Sequence, residues 1–399
     1  MRIFISTGEV SGDLQGSLLI AALQRQATTV GQELEIVALG GEKMAAAGAS
    51  LLGNTTRISS FGLLEALPYI LPTLQIQRQA IKYLQQNPPD IVVLIDYMGP
   101  NLAIANYLRR HSPQIPIVYY IAPQVWVSSL TTGDTQKIID VSNKLLAIFP
   151  AEARFFAEKQ ANVTWVGHPL LDRMEEFPSR EVARGNLGIA ENTINIALLP
   201  ASRPQELKYL MPVMFQTAKL LQEKLPQVHF WIPLSLEFYR NKVEQSLQEY
   251  GLQATIISGQ QKEVLAAADL AITKCGTVNL ELGLLQVPQV VLYRLHPFTY
   301  WVATKILKVT FPFASPVNLM VMKEIVSEFI QEQATPENLT QAAMELLLNP
   351  ERKQQMQANY REMRENMGEV GVCDRAASEI FQLMQTGTNN YLVKKFEKP

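Results

Sequence analysis

The sequence predicts an α/β protein built from two doubly wound, parallel-sheet domains in tandem. Three observations carry that expectation. Short apolar runs alternate with helical patterns along the chain, the alternation of a parallel sheet covered on both faces. The alternation is interrupted once, by the proline- and charge-containing stretch Pro169–Arg184, and then restarts. Each half also carries a turn of small residues directly after a strand-like run, at ISTGEVSGDLQGSLL (5–19) and at ITKCGTVNLELG (272–283). The chain has 399 residues, too many for one compact core, so two domains of ordinary size are expected.

In the first half, strand-like runs fall at Arg2–Ser6, Glu35–Leu39, Ile91–Ile95, Ile117–Tyr120, Lys144–Phe149 and Val163–Val166. Helical patterns lie near Gly12–Gln26, Gly41–Ala47, Leu74–Gln86 and Asn101–His111. In the second half the strands are Ile194–Leu199, Gln227–Ile232, Ala254–Ile257, Leu270–Thr273 and Gln289–Tyr293. The domains expected are 1–170, 171–365, and a C-terminal helix with a basic tail at 366–399. In open α/β sheets, ligands bind beyond the carboxyl ends of the strands, so the turns at those ends are the candidate sites.

Composition removes several function classes. A formal net charge of −2 gives no global electrostatic case for nucleic acid. Hydrophobic residues make up 47%, yet no run is long enough to span a bilayer, and Met1-Arg2 leads directly into a strand without a signal-peptide pattern. Cytoplasmic location is therefore the expectation. Cys275 and Cys373 cannot build a disulfide framework or a zinc site alone. The four histidines, His111, His168, His229 and His296, are scattered, and no metal is expected. His168 and His296 each precede a proline, which suits the ordering of a turn. His296 can also contact a phosphate at the second glycine turn.

The first turn places Gly8, Gly12 and Gly16 at four-residue spacing. This is neither the dinucleotide fingerprint nor the P-loop, and a nicotinamide dehydrogenase is disfavoured for that reason. Ser11 and Asp13 can cap the first helix, or contact a sugar that Gly8 and Gly12 allow the backbone to approach. Asp96 follows the strand IVVLI, where it can take a proton from a hydroxyl, bind a sugar, or cap the next helix. Arg203, in LLPASRPQEL, is placed to grip a diphosphate or to cap nearby carbonyls. Cys275-Gly276-Thr277 precede the helical pattern Val278–Leu285, whose N-terminal N–H groups suit a diphosphate. Glu281, one turn in, can accept from ribose hydroxyls or be a solvated surface residue. Two apolar segments, Phe61–Leu84 and His296–Phe313, suit either burial against a sheet or an exposed face for lipid; the second interleaves aromatics with Lys305 and Lys308.

Seven stretches occur in order: STGEVSGDLQG, FPAEARFF with VGHPLLD, LLPASRPQE, CGTVNLELG, YRLHPFTYWVA, PVNLMVMKEIVSEFIQ and GVCDRAASEI. Together they resemble the lipid-A-disaccharide synthase family over about residues 1–381. The resemblance implies a GT-B fold and transfer of a diacylated glucosamine from UDP to the 6-hydroxyl of a lipid monosaccharide phosphate, with inversion and without a cofactor. It implies Asp96 as the catalytic carboxylate. It also implies Arg203, Gly276, Thr277, Glu281 and Asn318 on the UDP side, with Gly8, Ser11, Gly12 and Asp13 on the sugar or acceptor side. Peripheral attachment to the inner face of the membrane and a homodimer follow from the same resemblance.

The chain departs from the family pattern at IDYMGPNLAIA, at the arginine-free stretch Ala122–Gln136, at Ala201, at Lys274-Cys275 and at PVNLMVM. The donor half therefore carries the resemblance more fully than the acceptor half. A UDP-GlcNAc 2-epimerase-like isomerase and a UDP-sugar-binding protein without activity stand as the alternatives.

Overall fold

The computed structural model describes residues 1–56, 67–127, 132–200, 204–234, 236–306 and 312–396. The chain divides into two compact units. One comprises Met1–Asp172 and Met367–Pro399 with a short segment at 307–310, and the other comprises the rest.

The first unit holds a seven-stranded parallel sheet. Its strands are β1 (Arg2–Ser6), β2 (Glu35–Gly40), β3 (Ser50–Asn54), β4 (Ile91–Ile95), β5 (Ile117–Tyr120), β6 (Lys144–Ala147) and β7 (Val163–Trp165), in the order β3-β2-β1-β4-β5-β6-β7. The central strand β4, IVVLI, is buried at every position, as a strand covered on both faces must be. Its neighbours pair in register, Ile3 with Ile91 and Val93 with Val118. The core around it is made by Phe4, Val92, Leu94, Leu108, Tyr119 and Phe156.

The strand order reverses between β1 and β4, which opens a crevice at their carboxyl ends. β3 was absent from the sequence expectation. It is a half-exposed edge strand containing Gly53, so it lacks the continuous apolar run that marks its neighbours.

The second unit repeats the plan with six parallel strands: β8 (Ile194–Leu199), β9 (Val228–Leu234), β10 (Ala254–Ser258), β11 (Leu270–Lys274), β12 (Gln289–Tyr293) and β13 (Glu328–Ile330). Their order is β10-β9-β8-β11-β12-β13. Here the reversal lies between β8 and β11. β13 was also unexpected from sequence, being a three-residue edge strand.

The chain returns to the first unit at its end. The helix Val372–Phe396 packs on the helix Val10–Thr29, with Arg25 paired to Asp374 at 2.7 Å. Asp172 fixes the start of that last helix, its carboxylate accepting the N–H groups of Gly371 (2.7 Å), Val372 (3.0 Å) and Cys373 (2.7 Å). Arg375 donates to the Val166 carbonyl at 2.9 and 3.1 Å. The motifs VGHPLLD and GVCDRAASEI, nearly 200 residues apart, thus serve one join.

Candidate functional site

At the β1/β4 crevice the structure brings the first glycine turn and Asp96 together. A Cβ on Gly8 would lie 2.2 Å from the Tyr97 ring, so the glycine exists to admit that ring. Gly12 admits the Thr7 hydroxyl, and Gly16 and Gly40 admit the Met44 thioether. The four-residue spacing therefore lays one glycine face of the helix Val10–Thr29 against the sheet ends, where sequence led us to expect a close approach of backbone to sugar.

Asp13 also departs from expectation. Its buried carboxylate accepts Gly41 N–H (2.8 Å), Lys43 N–H (3.1 Å) and Met44 N–H (3.1 Å), capping the helix Glu42–Ala46 rather than its own. Ser11 is half-buried in the first turn of the helix.

Asp96 is half-buried, and its backbone is held in the left-handed region, with φ of 46°, followed by Tyr97 at 47°. Non-glycine residues adopt this conformation at a cost of about 1–3 kcal/mol each, so neighbours must hold it. They do. Asp96 N–H donates to the Ile121 carbonyl at 2.9 Å. The Asp96 carbonyl accepts from Asn101 Nδ2 at 2.8 Å and from the Tyr119 hydroxyl at 2.8 Å. Asn101 is buried and also binds Ser6 Oγ (2.7 Å) and the Ile95 carbonyl (3.1 Å), tying the ends of β1 and β4 to the same point. Ile121 is itself left-handed, with φ of 61°.

At the β8/β11 crevice, Arg203 and Ala201 lie outside the described residues. The glycine turn is present, and Thr277 is the residue from which the helix Val278–Leu284 begins. The Gly276 N–H, expected to face a diphosphate, donates instead to Asn279 Oδ1 at 2.7 Å. A side chain from within the same helix has taken that donor, which leaves the Thr277 and Val278 N–H groups to the turn. Glu281 is buried in an ion pair with Arg173, so it is not the solvated residue that was one alternative.

Lys274 reaches back over the turn, its Nζ 3.2 Å from where a Gly276 Cβ would stand, and pairs with the buried Glu206 at 3.3 Å. The Cys275 thiol donates to the Ala314 carbonyl at 2.7 Å, and burial pushes its pKa up to about 12.

Asn318, expected on the UDP side, is held in an internal network. It is buried, and all its hydrogen-bonding groups are used internally. Nδ2 donates to the Val326 carbonyl (2.9 Å) and Glu328 Oε1 (2.7 Å), while Oδ1 accepts from Ile325 N–H (2.8 Å) and Val326 N–H (3.0 Å). It ties the helix Pro316–Val321 to the chain entering β13.

The two His-Pro histidines order turns, as their sequence context suggests. In each, Nδ1 accepts the N–H two residues on, from Leu170 at 3.3 Å for His168 and from Phe298 at 3.1 Å for His296. Burial lowers the His168 pKa to about 3, which keeps the ring neutral.

Sequence reasoning passed over Tyr97, Arg173 and Glu152. Glu152, from FPAEARFF, is 1% exposed and accepts Ile148 N–H (2.9 Å) and Phe149 N–H (3.2 Å) at the end of β6. The available signal, Pro at the first helical position with Glu two residues on, reads as an ordinary helix cap. Only tertiary structure shows that the carboxyl is buried, and that burial raises its pKa to about 7 despite three backbone hydrogen bonds.

Both apolar segments expose part of their surface. The helix Ile70–Gln86 buries Ala80 and Leu84 but exposes Ile70, Leu71 and Leu74, Leu71 by 71%. In the other unit Phe298 and Trp301 stack at 6.2 Å and are half exposed, with Ile306 beside them in sequence. Residues 57–66 and 307–311, which complete the two segments, lie outside the described residues. Among the described residues no helix is long and apolar enough to cross a membrane.

Solved structures share the fold. S. aureus MnaA in a UDP co-structure superposes with a TM-score of 0.67 at 15% identity, covering 100% of this chain and 98% of that one. UDP-GlcNAc 2-epimerase from Neisseria meningitidis, bound to UDP-GlcNAc, gives 0.60 at 14% identity over 97% and 100%. MurG from Acinetobacter baumannii gives 0.52 at 14% identity over 96% and 99%. These place the chain in the GT-B fold without choosing between isomerase and transferase.

Sequence relatives choose. The Lipid-A-disaccharide synthetase family model matches residues 3–382. The Lipid-A-disaccharide synthase of Gloeothece citriformis is 60% identical over 95% of this chain and 99% of its own length. That of Synechocystis is 55% identical over 96% and 98%, and that of Neisseria meningitidis 34% over 90% and 92%. The chain belongs to the lipid-A-disaccharide synthetase family and is a glycosyltransferase enzyme of lipid A disaccharide synthesis.

Proposed function

We propose that the enzyme transfers an acylated glucosamine from UDP to the 6-hydroxyl of a lipid monosaccharide phosphate, with Asp96 as the general base. The observation that carries this reading is the Asp96 peptide, strained and clamped at the strand-order reversal of the first unit. A carboxylate fixed there meets the acceptor hydroxyl without first having to reorganise. As the hydroxyl oxygen bonds to the anomeric carbon, its proton passes to Asp96 and the bond to the diphosphate breaks. Attack from the face opposite the leaving group inverts the anomeric centre.

UDP leaves with its charge met in the second unit by Arg203 and by the Thr277 and Val278 N–H groups. The Arg173 pair holds Glu281 in place for the ribose hydroxyls. Gly8, Gly12 and Asp13 support this chemistry by shaping the crevice, and Ser11 lies nearest in sequence to supply a sugar contact. The exposed apolar residues of each unit suit peripheral contact with the inner face of a membrane that holds both acylated substrates, and the reading admits a homodimer.

The test is product formation from UDP-2,3-diacylglucosamine and 2,3-diacylglucosamine 1-phosphate, followed by mass spectrometry. A disaccharide phosphate with stoichiometric UDP, lost on Asp96→Asn, supports the reading. UDP binding without disaccharide would leave the acceptor wrong, and epimerised UDP-sugar would establish the isomerase. Sedimentation with anionic vesicles tests the membrane contact, which Leu71→Asp and Phe298→Asp should weaken.

A further inference from the structure

We propose that Glu152 is a positioning residue for the transfer reaction: its buried carboxyl holds the peptide that clamps Asp96. The proposal rests on the reading of Asp96 as the base.

The geometry comes first. Glu152 accepts N–H groups from Ile148 and Phe149 at the end of β6, and from Ala122 just beyond β5. Ala122 follows Ile121, whose carbonyl receives the Asp96 N–H at 2.9 Å and whose N–H donates to the Leu146 carbonyl at 3.2 Å. One carboxyl thus joins the ends of β5 and β6, and the Ile121 peptide carries that join to the end of β4. Ile121, Asp96 and Tyr97 are all left-handed non-glycine residues, so three strained positions meet at this point. Strain of this kind persists only where the surroundings over-determine it. Glu152 is a large part of those surroundings, since one carboxyl that is 1% exposed serves three of the backbone donors there.

The charges around Glu152 are few. Among the described residues Asp96 is the ionisable group whose charge acts on it, and that charge opposes the ionisation of Glu152. His168, reached through Phe149 at 5.6 Å, is neutral. The remaining ionisable groups of its own helix, Arg154 and Glu158, are not among the groups that shift it. Burial above all, with a smaller contribution from the Asp96 charge, lifts Glu152 so that it gives up its proton only near neutrality, at about pH 7. Once ionised, it accepts the three N–H groups as a charged partner, which tightens the join that holds the Ile121 peptide and, through it, Asp96.

The experiment is kcat/KM against pH, by the disaccharide assay, for the wild type, Glu152→Gln, Glu152→Ala and Asp96→Asn. The wild type is expected to gain roughly threefold to tenfold through an ionisation near pH 7, as the charged carboxyl tightens the clamp that holds the base in place. Glu152→Gln, which keeps an acceptor oxygen and the side-chain volume, should lose that step and run flat. Glu152→Ala should fall at every pH, with Gln restoring most of the pH-independent part.

A merely structural glutamate would lower activity without removing the step, so superimposable wild-type and Glu152→Gln profiles overturn the proposal. If Glu152→Gln does not fold, the wild-type profile decides by itself, because absence of an ionisation near pH 7 also overturns it. If Asp96→Asn retains activity, the reading of the base fails and this proposal falls with it. Loss in Asp96→Asn with an unchanged Glu152→Gln profile sinks this proposal alone.

Discussion

Asn318→Ala separates a structural asparagine from a ligand-binding one. In the structure the amide makes four hydrogen bonds, two to N–H groups, one to a carbonyl and one to the Glu328 carboxylate. Alanine leaves the Ile325 and Val326 N–H groups and the Val326 carbonyl without partners in a buried site. Each orphaned group costs about 1–3 kcal/mol. Glu328 retains the Ala314 and Ser315 N–H groups at 2.8 Å each, so its share of the loss is small.

A water entering the vacated space would recover part of the cost, which brings the expected net loss to about 3–5 kcal/mol. For a unit of this size that is a fall of roughly 10 °C in melting temperature. The assay is thermal unfolding of the variant beside UDP binding by calorimetry at a temperature where both proteins are folded. Binding should be within about threefold of wild type, a difference under 1 kcal/mol. A variant that melts within a degree or two of wild type, yet binds UDP more than tenfold more weakly, would refute the reasoning and return Asn318 to the donor site.

Gly8→Ala forces a Cβ to within 2.2 Å of the Tyr97 ring and should cost about 1–3 kcal/mol while moving Asp96, so kcat should fall more than the melting temperature implies. Asp13→Ala strips the acceptor from three N–H groups of the next helix and its cap; a loss of about 2 kcal/mol in urea unfolding is expected. Glu152 makes stability pH-dependent. Its folded pKa is raised from 4.5 to about 7, so its contribution is full below 4.5 and is lost as pH rises through 7. The total is roughly 3 kcal/mol. Wild type should therefore lose stability between pH 5 and 8, by urea titration, while Glu152→Gln does not; equal slopes would contradict the burial argument.

Most of the fold was legible because parallel strands buried on both faces read as unbroken apolar runs. IVVLI and QVVLY are strands by that pattern, and IVVLI is the central one of its sheet. β3 and β13 were not legible, since edge strands as short as EFI carry no such run. The site was read less evenly. Asp96 and the glycine turn were found because both stand directly after strands, and the strand order then brought them to one crevice.

Asp13, Gly276 and Asn318 each bond within the protein in a way that their local sequence does not show. A polar group at a helix end can serve a ligand or the backbone, and which of these it does depends on donors from distant segments. Asn318 faces residues seven, eight and ten positions on, and Asp13 faces a helix 28 to 31 residues away. Local patterns do not encode such pairings. Glu152 was missed because a helix cap and a buried carboxyl have the same sequence.

The return of the last helix to the first unit bears on how the molecule is made. Chains emerge from the ribosome in order, and domains usually fold as they emerge. Here the helix Val10–Thr29, which follows the strand that begins at Arg2, has no partner on its outer side until Val372 onward has been synthesised. At about 5–20 residues per second, the first unit waits roughly 10–40 s for the helix that packs against Val10–Thr29. The second unit, whose described residues run between Arg173 and Asn366, can close during that interval. The order of synthesis and the order of completion are thus opposite, and a chain halted before the Asp172–Val372 join would release a finished second unit attached to an unfinished first.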